Sequence, residues 1–347
     1  MLKLLNDAIL KSNVSSQSTD KNEAKCVASF LNVSLSTVNR WKELKEVPQA
    51  YEFELLQLCG KDVDYSKYTS KQKDQFFTPK TTVEYCWDKT QEIIGSIEDY
   101  HFIEPSAGSG NFLEVLPLER TIALDVEPKH KSVVNQDFLT WEPPKDGNKR
   151  ITIGNPPFGL RGHLALKFIN HSFAFSDYVC FILPQLFESD GKGVPRKRVV
   201  GFNLIHSEKL NSCFLEPDGA EIKVNCIFQI WSKYRENPNF KLSPPSEKSF
   251  IKVYSLSNGD SSSQQRNVKQ IGKCDIYVPS TCFGSDKMKY YESFQDLPSK
   301  KGYGIVFLKS REKNITKFKS ISWNEKAFVS TNGAYNLRTS SIINEFK

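Results

Sequence analysis

The sequence predicts an α/β protein built on a mainly parallel sheet, with a helical segment before it and a smaller mixed segment after it. Three observations carry this expectation. Short β-rich runs (HFIEP, TIALDV, ITIGNPPF, YVCFILP and KVNCIFQIW) alternate with helical stretches through the middle of the chain, the pattern of βαβ units. Residues 179–183 show no polar alternation, as strands buried on both faces do. Glycine- or proline-rich breaks close two of the strands, EPSAGSGNF after HFI and GNPPFG after ITI.

Bulk properties exclude several classes. A chain of 347 residues suits one large domain with one or two small ones. No apolar run approaches the roughly 18 residues that span a bilayer. The start, MLKLLNDAILKSNVSS, lacks the basic head and cleavage pattern of a signal peptide, so no membrane association and a cytoplasmic location are expected. The eight cysteines are scattered without a C-x-x-C pair and the five histidines do not cluster, so no metal site is expected. Cys180 and Cys226 lie inside apolar runs and read as small buried hydrophobes. A net charge of +7 favours an anionic partner without identifying one.

Residues 1–65 read as a helical, helix-turn-helix-like domain. Ala24, Val27, Ala28 and Leu31 recur at helical spacing. A break at Asn32-Val33-Ser34 precedes a second helix running from Ser36 through Leu44, capped by Ser34 or Ser36. In LNVSLSTVNRWKE, which resembles the small repressor-type domain, Ser36, Thr37, Asn39 and Arg40 fall on the exposed start of that second helix. They are residue types that contact phosphates and base edges. Val38 and Trp41 would face inward. The competing reading is a small helical bundle that contacts protein. A polar stretch from Lys61 to Lys73 reads as a linker.

Residues 66–235 contain the chemistry. GNPPFG follows Ile151-Thr152-Ile153, and two consecutive prolines fix the chain rigidly at the strand's carboxyl end. Ligands bind at that edge in open α/β sheets. Asn155 and Pro156 there offer a side-chain and a backbone carbonyl as fixed acceptors, beside Pro157 and the aromatic Phe158. Two such acceptors can draw an aromatic amine towards tetrahedral character while a planar base stacks on Phe158. Positioning and hydrogen-bond polarisation then carry the reaction. The competing reading is a rigid strand end with no chemistry. Gly108 and Gly110 permit a tight strand-to-helix turn with close approach of a ligand, and no P-loop Lys-Ser/Thr pair follows. Asp125 ends the next strand, where a carboxylate can accept ribose hydroxyls. Asp137 can accept from an adenine amino group, with Val126 and Phe138 packing on the ring. Either acid is otherwise an ordinary solvated one.

With these residues in this order, the segment from about Gln75 to Lys233 resembles the amino-methyltransferase family of DNA adenine methyltransferases, in the gamma order of cofactor motif, catalytic motif and recognition region. The resemblance implies a class I, Rossmann-like methyltransferase core using S-adenosyl-L-methionine. Phe77, Thr78 and Pro79 match the FTP motif that closes over the cofactor's methionine end. Glu104, Pro105, Ala107, Gly108, Gly110 and Phe112 match the glycine motif, and Asp125 and Asp137 the ribose and adenine acids. Asn155, Pro156, Pro157 and Phe158 match the catalytic motif, with Phe where many relatives carry Tyr. The implied reaction is methylation of adenine N6 in duplex DNA after base flipping, and a restriction endonuclease is the implied companion. Residues 236–347, rich in Ser, Lys and Asn with a loop at SLSNGDSSSQQRN and strands at IGKCDIYVPS and KGYGIVFLKS, would be the target-recognition domain.

A basic cluster, Lys192, Arg196, Lys197 and Arg198, follows YVCFILP. It suits backbone phosphates around an extruded base, against the alternative of a solvated surface loop. Competing functions are methylation of adenine N6 in RNA, of cytosine N4 in DNA or of a protein glutamine, and a catalytically inactive DNA-binding regulator. FTP and the helix-turn-helix favour DNA, the basic loop disfavours protein, and the intact Asn155 motif disfavours decay.

Overall fold

The computed structural model describes residues 1–12, 20–31, 33–61, 68, 76–159, 162–189, 194–210, 213–215, 219–234, 250–259, 264–329 and 333–346. Most of the linker expected over 61–73 lies outside these residues, as do Gln75, Lys192 and part of the loop after Leu256. Among the described residues no helix is long and apolar enough to cross a membrane.

Four helices open the chain: α1 (Leu2–Ser12), α2 (Asp20–Phe30), α3 (Leu35–Leu44) and α4 (Glu52–Leu58). The hydroxyl of Ser34 caps α3, accepting from the Thr37 amide at 3.1 Å. Leu5, Val27, Leu31, Val38, Trp41 and Leu55 bury their side chains in one shared cluster, each contributing about 1.5–3 kcal/mol.

The central sheet follows α5 (Lys80–Ile94). Its strands are β1 (Tyr100–Glu104), β2 (Thr121–Asp125), β3 (Val134–Asn135), β4 (Lys149–Gly154), β5 (Tyr178–Pro184) and β6 (Asn203–Leu210). A hairpin of β7 (Cys213–Leu215) and β8 (Glu221–Lys223) then leads to β9 (Cys226–Ser232). The order is β3-β2-β1-β4-β5-β9-β6. Strands β1 to β5 pair in parallel, and β9 is antiparallel to both β5 and β6. This doubly wound order with one reversed strand inserted near its edge is a Rossmann-like core, as the sequence led one to expect. The pleat explains the unbroken apolar runs. Phe102, Ile151, Ile153, Cys180 and Phe228 face Val83 and Cys86 of α5. Ile103, Val179, Phe181, Leu183 and Ile227 face Ala165, Leu166 and Ile169 of α6 (His163–Ser172).

Two local expectations fail. No α-helix follows the glycine turn, where Asn111–Glu114 forms a single 3-10 turn, and only residues 126–133 separate β2 from β3. That is too short for the usual helical crossover of a dozen or more residues, and β3 is correspondingly two residues long. Strand β6, entered soon after the basic cluster, is not among the β-rich runs picked out in the sequence. Its signal is blurred by a register shift between Leu204 and His206 and by the mixed exposure of an edge strand.

Beyond β9 lie β10 (Ile251–Asn258), β11 (Gln265–Arg266), β12 (Ile276–Pro279), β13 (Thr281–Phe283), β14 (Lys301–Phe307), α7 (Arg311–Ser320), β15 (Phe328–Val329) and β16 (Ala334–Asn336). An antiparallel sheet runs β11-β10-β14-β12, and a smaller one runs β13-β16-β15. Any side chain at Gly302 would lie 2.6 Å from the Val278 carbonyl, so strands β12 and β14 pack only with glycine there. Strand β15 approaches the turn Gln185–Glu188 that leaves the carboxyl end of β5, which sets this unit beside the carboxyl edge of the sheet.

The N-terminal helices are seated on α6. Buried Glu54 of α4 hydrogen-bonds the buried His163 ring, and Tyr51 lies 6.0 Å from that ring. The Lys167 ammonium sits 4.0 Å from the centre of the Phe30 ring, and burial there pushes the Lys167 pKa down. Glu54→Ala removes this buried hydrogen bond between α4 and α6, so it should destabilise the protein by about 1–3 kcal/mol. A urea midpoint equal to that of the parent would contradict this docking.

Candidate active site

The carboxyl ends of β1, β2 and β4 converge on one cleft of about 120 Å³. At β1 the chain leaves Glu104 and Pro105 and turns through Gly108 (φ +49°) and Gly110 (φ +80°), both left-handed. A β-carbon at Gly110 would lie 2.8 Å from the His130 ring, and one at Gly108 would lie 3.1 Å from the Phe77 ring. The loop is stitched to β2 and the segment just after it by three bonds. Ala107 N–H donates to the Leu124 carbonyl (2.9 Å), Lys129 N–H donates to the Gly108 carbonyl (3.0 Å), and Gly108 N–H donates to Asp125 Oδ2 (2.8 Å). Asp125 Oδ1 accepts from Glu127 N–H at 2.7 Å, so both oxygens of this carboxylate are fixed in direction. Asp137 Oδ1 caps the turn at Phe138–Thr140 by accepting from Leu139 N–H at 2.9 Å.

The cleft's lining brings together Phe77, Pro105, Gly108, Asp125, Val126, Asp137, Phe138, Asn155 and Pro157. Three acids line it, Asp125, Glu127 and Asp137, and no Lys or Arg does among the described residues. Such a cleft suits a cationic, hydroxyl-bearing ligand and opposes a polyphosphate. Other residues singled out in the sequence stand behind this surface. Ala107 and Phe112 are buried in the core, and Pro79 opens α5 as its cap.

Glu104 lies at the end of β1, only 2% exposed, with Oε2 unpartnered among the described residues. Burial, with a smaller contribution from the Asp125 charge, pushes its carboxyl up to about 8.

Asn155 is the junction between this cleft and a second, narrow apolar cavity of about 10 Å³, room for about one water. That cavity is walled by Phe76, Pro156, Phe158, Phe214, Val224 and Cys226. The side-chain NH2 of Asn155 donates to Thr78 Oγ1 (3.2 Å) and more weakly to the Phe76 carbonyl (3.4 Å). Its backbone carbonyl accepts from Ser106 Oγ at 3.1 Å. Its Oδ1 is buried and has no hydrogen-bond partner among the described residues. A buried acceptor left in this state costs about 1–3 kcal/mol unless a ligand satisfies it. Cys226, in the cavity wall, and Cys180 are fully buried; burial raises both thiols, Cys180 to about 12, so neither is a thiolate nucleophile at neutral pH.

Phe214 of the β7–β8 hairpin was not foreseen. No local pattern marks it, because its place depends on an insertion between two sheet strands. The hairpin is fastened across the cleft by Phe77, whose N–H donates to the Leu215 carbonyl (2.8 Å) and whose carbonyl accepts from Leu215 N–H (2.9 Å). Thr78 and Phe76 hold the catalytic-motif amide, contacts that the match to the FTP motif did not suggest.

The nucleic-acid candidates divide. Ser36, Asn39 and Arg40 are exposed on α3, while Thr37 is half-buried and within 2.8 Å of the Ser34 hydroxyl. Arg196 is tied to the Ser189 carbonyl at 3.0 Å. Lys197 is exposed, and Arg198 lies towards the far end of α6, where its carbonyl accepts from Asn170. Arg196, Lys197 and Arg198 share the 3-10 turn Pro195–Arg198 that descends along α6, so only its start is near the catalytic edge.

No family model matches the chain. It is 27% identical over 118 residues to the type II methyltransferase M.CvrRI of Paramecium bursaria Chlorella virus XZ-6E, a match spanning 29% of this chain and 30% of that protein. Among solved structures, a candidate RNA methyltransferase from Pyrococcus horikoshii aligns at 22% identity and TM-score 0.35, over 46% of this chain and 88% of that one. The modification subunit of a candidate type I restriction enzyme from Vibrio vulnificus YJ016 aligns at 11% identity and TM-score 0.34, over 69% and 60%. The fold assignment rests on the strand order, which these alignments do not sharpen.

Glu104 sets a testable pH dependence. Its folded pKa is raised, so its contribution to stability is full below about 4.5 and falls as pH rises towards about 8. Thermal melts of Glu104→Gln against the parent should therefore show the variant gaining relative stability across that window. A pH-independent difference would contradict the buried, unpaired carboxyl.

Proposed function

We propose that this chain transfers a methyl group from S-adenosyl-L-methionine to the N6 amino group of adenine in DNA, with the base flipped into the apolar cavity. The observation that carries the reading is the unpartnered, buried Oδ1 of Asn155 at the junction of an acidic cleft and an aromatic-walled cavity.

The cleft fits the cofactor by chemistry. Asp125 and Asp137 offer acceptors for ribose hydroxyls and an adenine amino group, Val126 and Phe138 apolar surface for the ring, and Gly108 room for close approach. The acids suit a ligand of net positive charge. When bound, the cofactor supplies an electrophilic methyl group. The chain's own residues do the remaining work. Asn155 Oδ1, with the Pro156 carbonyl, accepts from the target amine and holds its lone pair in one direction, while Phe158 and Phe214 line the narrow pocket that opens to admit a planar ring.

Charge supports a nucleic-acid partner. Residues 236–347 hold eighteen Lys and Arg against ten Asp and Glu, so the chain's whole basic surplus lies in the segment read as target recognition. Exposed Ser36, Asn39, Arg40 and Lys197 add contacts to DNA elsewhere, and the match to a type II methyltransferase is consistent with a restriction endonuclease as companion.

Asn155→Ala should lower methyl transfer to DNA on the order of a hundredfold or more while leaving cofactor affinity near that of the parent. Asp125→Ala should show the reverse order of loss, with affinity falling first. Turnover assays paired with calorimetry check both, and near-normal turnover of Asn155→Ala would sink the reading.

A further inference from the structure

We propose that Thr78 is a positioning residue whose hydroxyl holds the Asn155 amide in the direction that the Phe76 carbonyl specifies. The inference rests on the reading of Asn155 as acceptor for the target amine. A primary amide can turn over and present NH2 where the carbonyl is needed. Here the Phe76 carbonyl, which can only accept, stands 3.4 Å from Nδ2, and Thr78 Oγ1 stands nearer at 3.2 Å. Turning the amide over would set Oδ1 against the Phe76 carbonyl and aim two donors at a donating amine. The weak bond to Phe76 specifies the direction, and the stronger one to Thr78 holds it.

Thr78 is itself clamped. It is 5% exposed, and its backbone carbonyl accepts from Asn111 Nδ2 at 2.6 Å, tying it to the turn that follows the glycine loop. The adjacent Phe77 packs against Gly108 and pairs with Leu215. One short segment thus joins the cofactor-side loop to the amide that meets the base. A Thr78 that merely lined the cofactor cleft would affect affinity first; one that orients Asn155 affects turnover at saturating cofactor.

The experiment compares the full-length parent, Thr78→Val, Thr78→Ser and Asn155→Ala. Turnover on DNA, cofactor affinity by calorimetry, melting temperature and the Asn155 side-chain NH2 resonance are measured, the resonance being identified by its loss in Asn155→Ala. Thr78→Val keeps the shape and removes the acceptor. It should lower kcat about tenfold, leave cofactor affinity within about twofold, and shift the NH2 resonance; Thr78→Ser should restore both kcat and the resonance. Parent-like kcat in Thr78→Val, a loss that tracks cofactor affinity or melting temperature, or no recovery in Thr78→Ser would overturn the inference while leaving the Asn155 reading intact. Equal turnover of the parent and Asn155→Ala would remove both.

Discussion

The catalytic edge of this protein depends on how residues 76–78 lie across it. Backbone pairing of Phe77 with Leu215 fastens the β7–β8 hairpin, Thr78 and Phe76 hold the Asn155 amide, and the Thr78 carbonyl is held by Asn111. Each bond is modest alone, about 0.5–1.5 kcal/mol. Together they fix the wall between a polar cleft and an apolar cavity. Without this strap, Asn155 would be a polar side chain at the end of β4 with no preferred direction.

The same constraint explains why the proposed chemistry requires so little reactive machinery. The cleft is lined by acids and, among the described residues, by no Lys, Arg or His, and the buried Cys180 and Cys226 are held as neutral thiols. What the site offers is direction: a buried carbonyl awaiting a donor, next to aromatic walls. Preorganised acceptors in a dry setting are worth far more than the same groups in water. The buried Glu104 beneath the glycine loop belongs to this picture. Its elevated carboxyl marks a dry region beneath the loop, where burial disfavours the charged form.

Much of this was legible in the chain because the signals are local. Double proline after Asn155, glycines at left-handed positions, and apolar strands without alternation each report backbone conformation directly. Other features were hidden for physical reasons. Strand β6 carries the weak, shifted pattern of an edge strand. Phe214 reaches Asn155 only through an inserted hairpin, and the contact of Glu54 with His163 joins residues 109 apart in sequence. The stretch from Lys61 to Lys73 suggested a loosely tethered helical unit, yet burial of Glu54 against α6 brings that unit to the helix that begins just after Phe158. Side-chain pairs between distant segments leave no periodic trace, whereas turns and strands do.

The central claim is that Asn155 accepts from an adenine amine in DNA. The most direct measurement is transfer of labelled methyl groups from S-adenosyl-L-methionine to matched DNA and RNA, followed by mass spectrometric identification of the modified nucleoside. The account predicts N6-methyldeoxyadenosine from DNA, formed by the parent and not by Asn155→Ala. Label appearing only in RNA, on cytosine N4 or on protein, or in none of these acceptors, would contradict it.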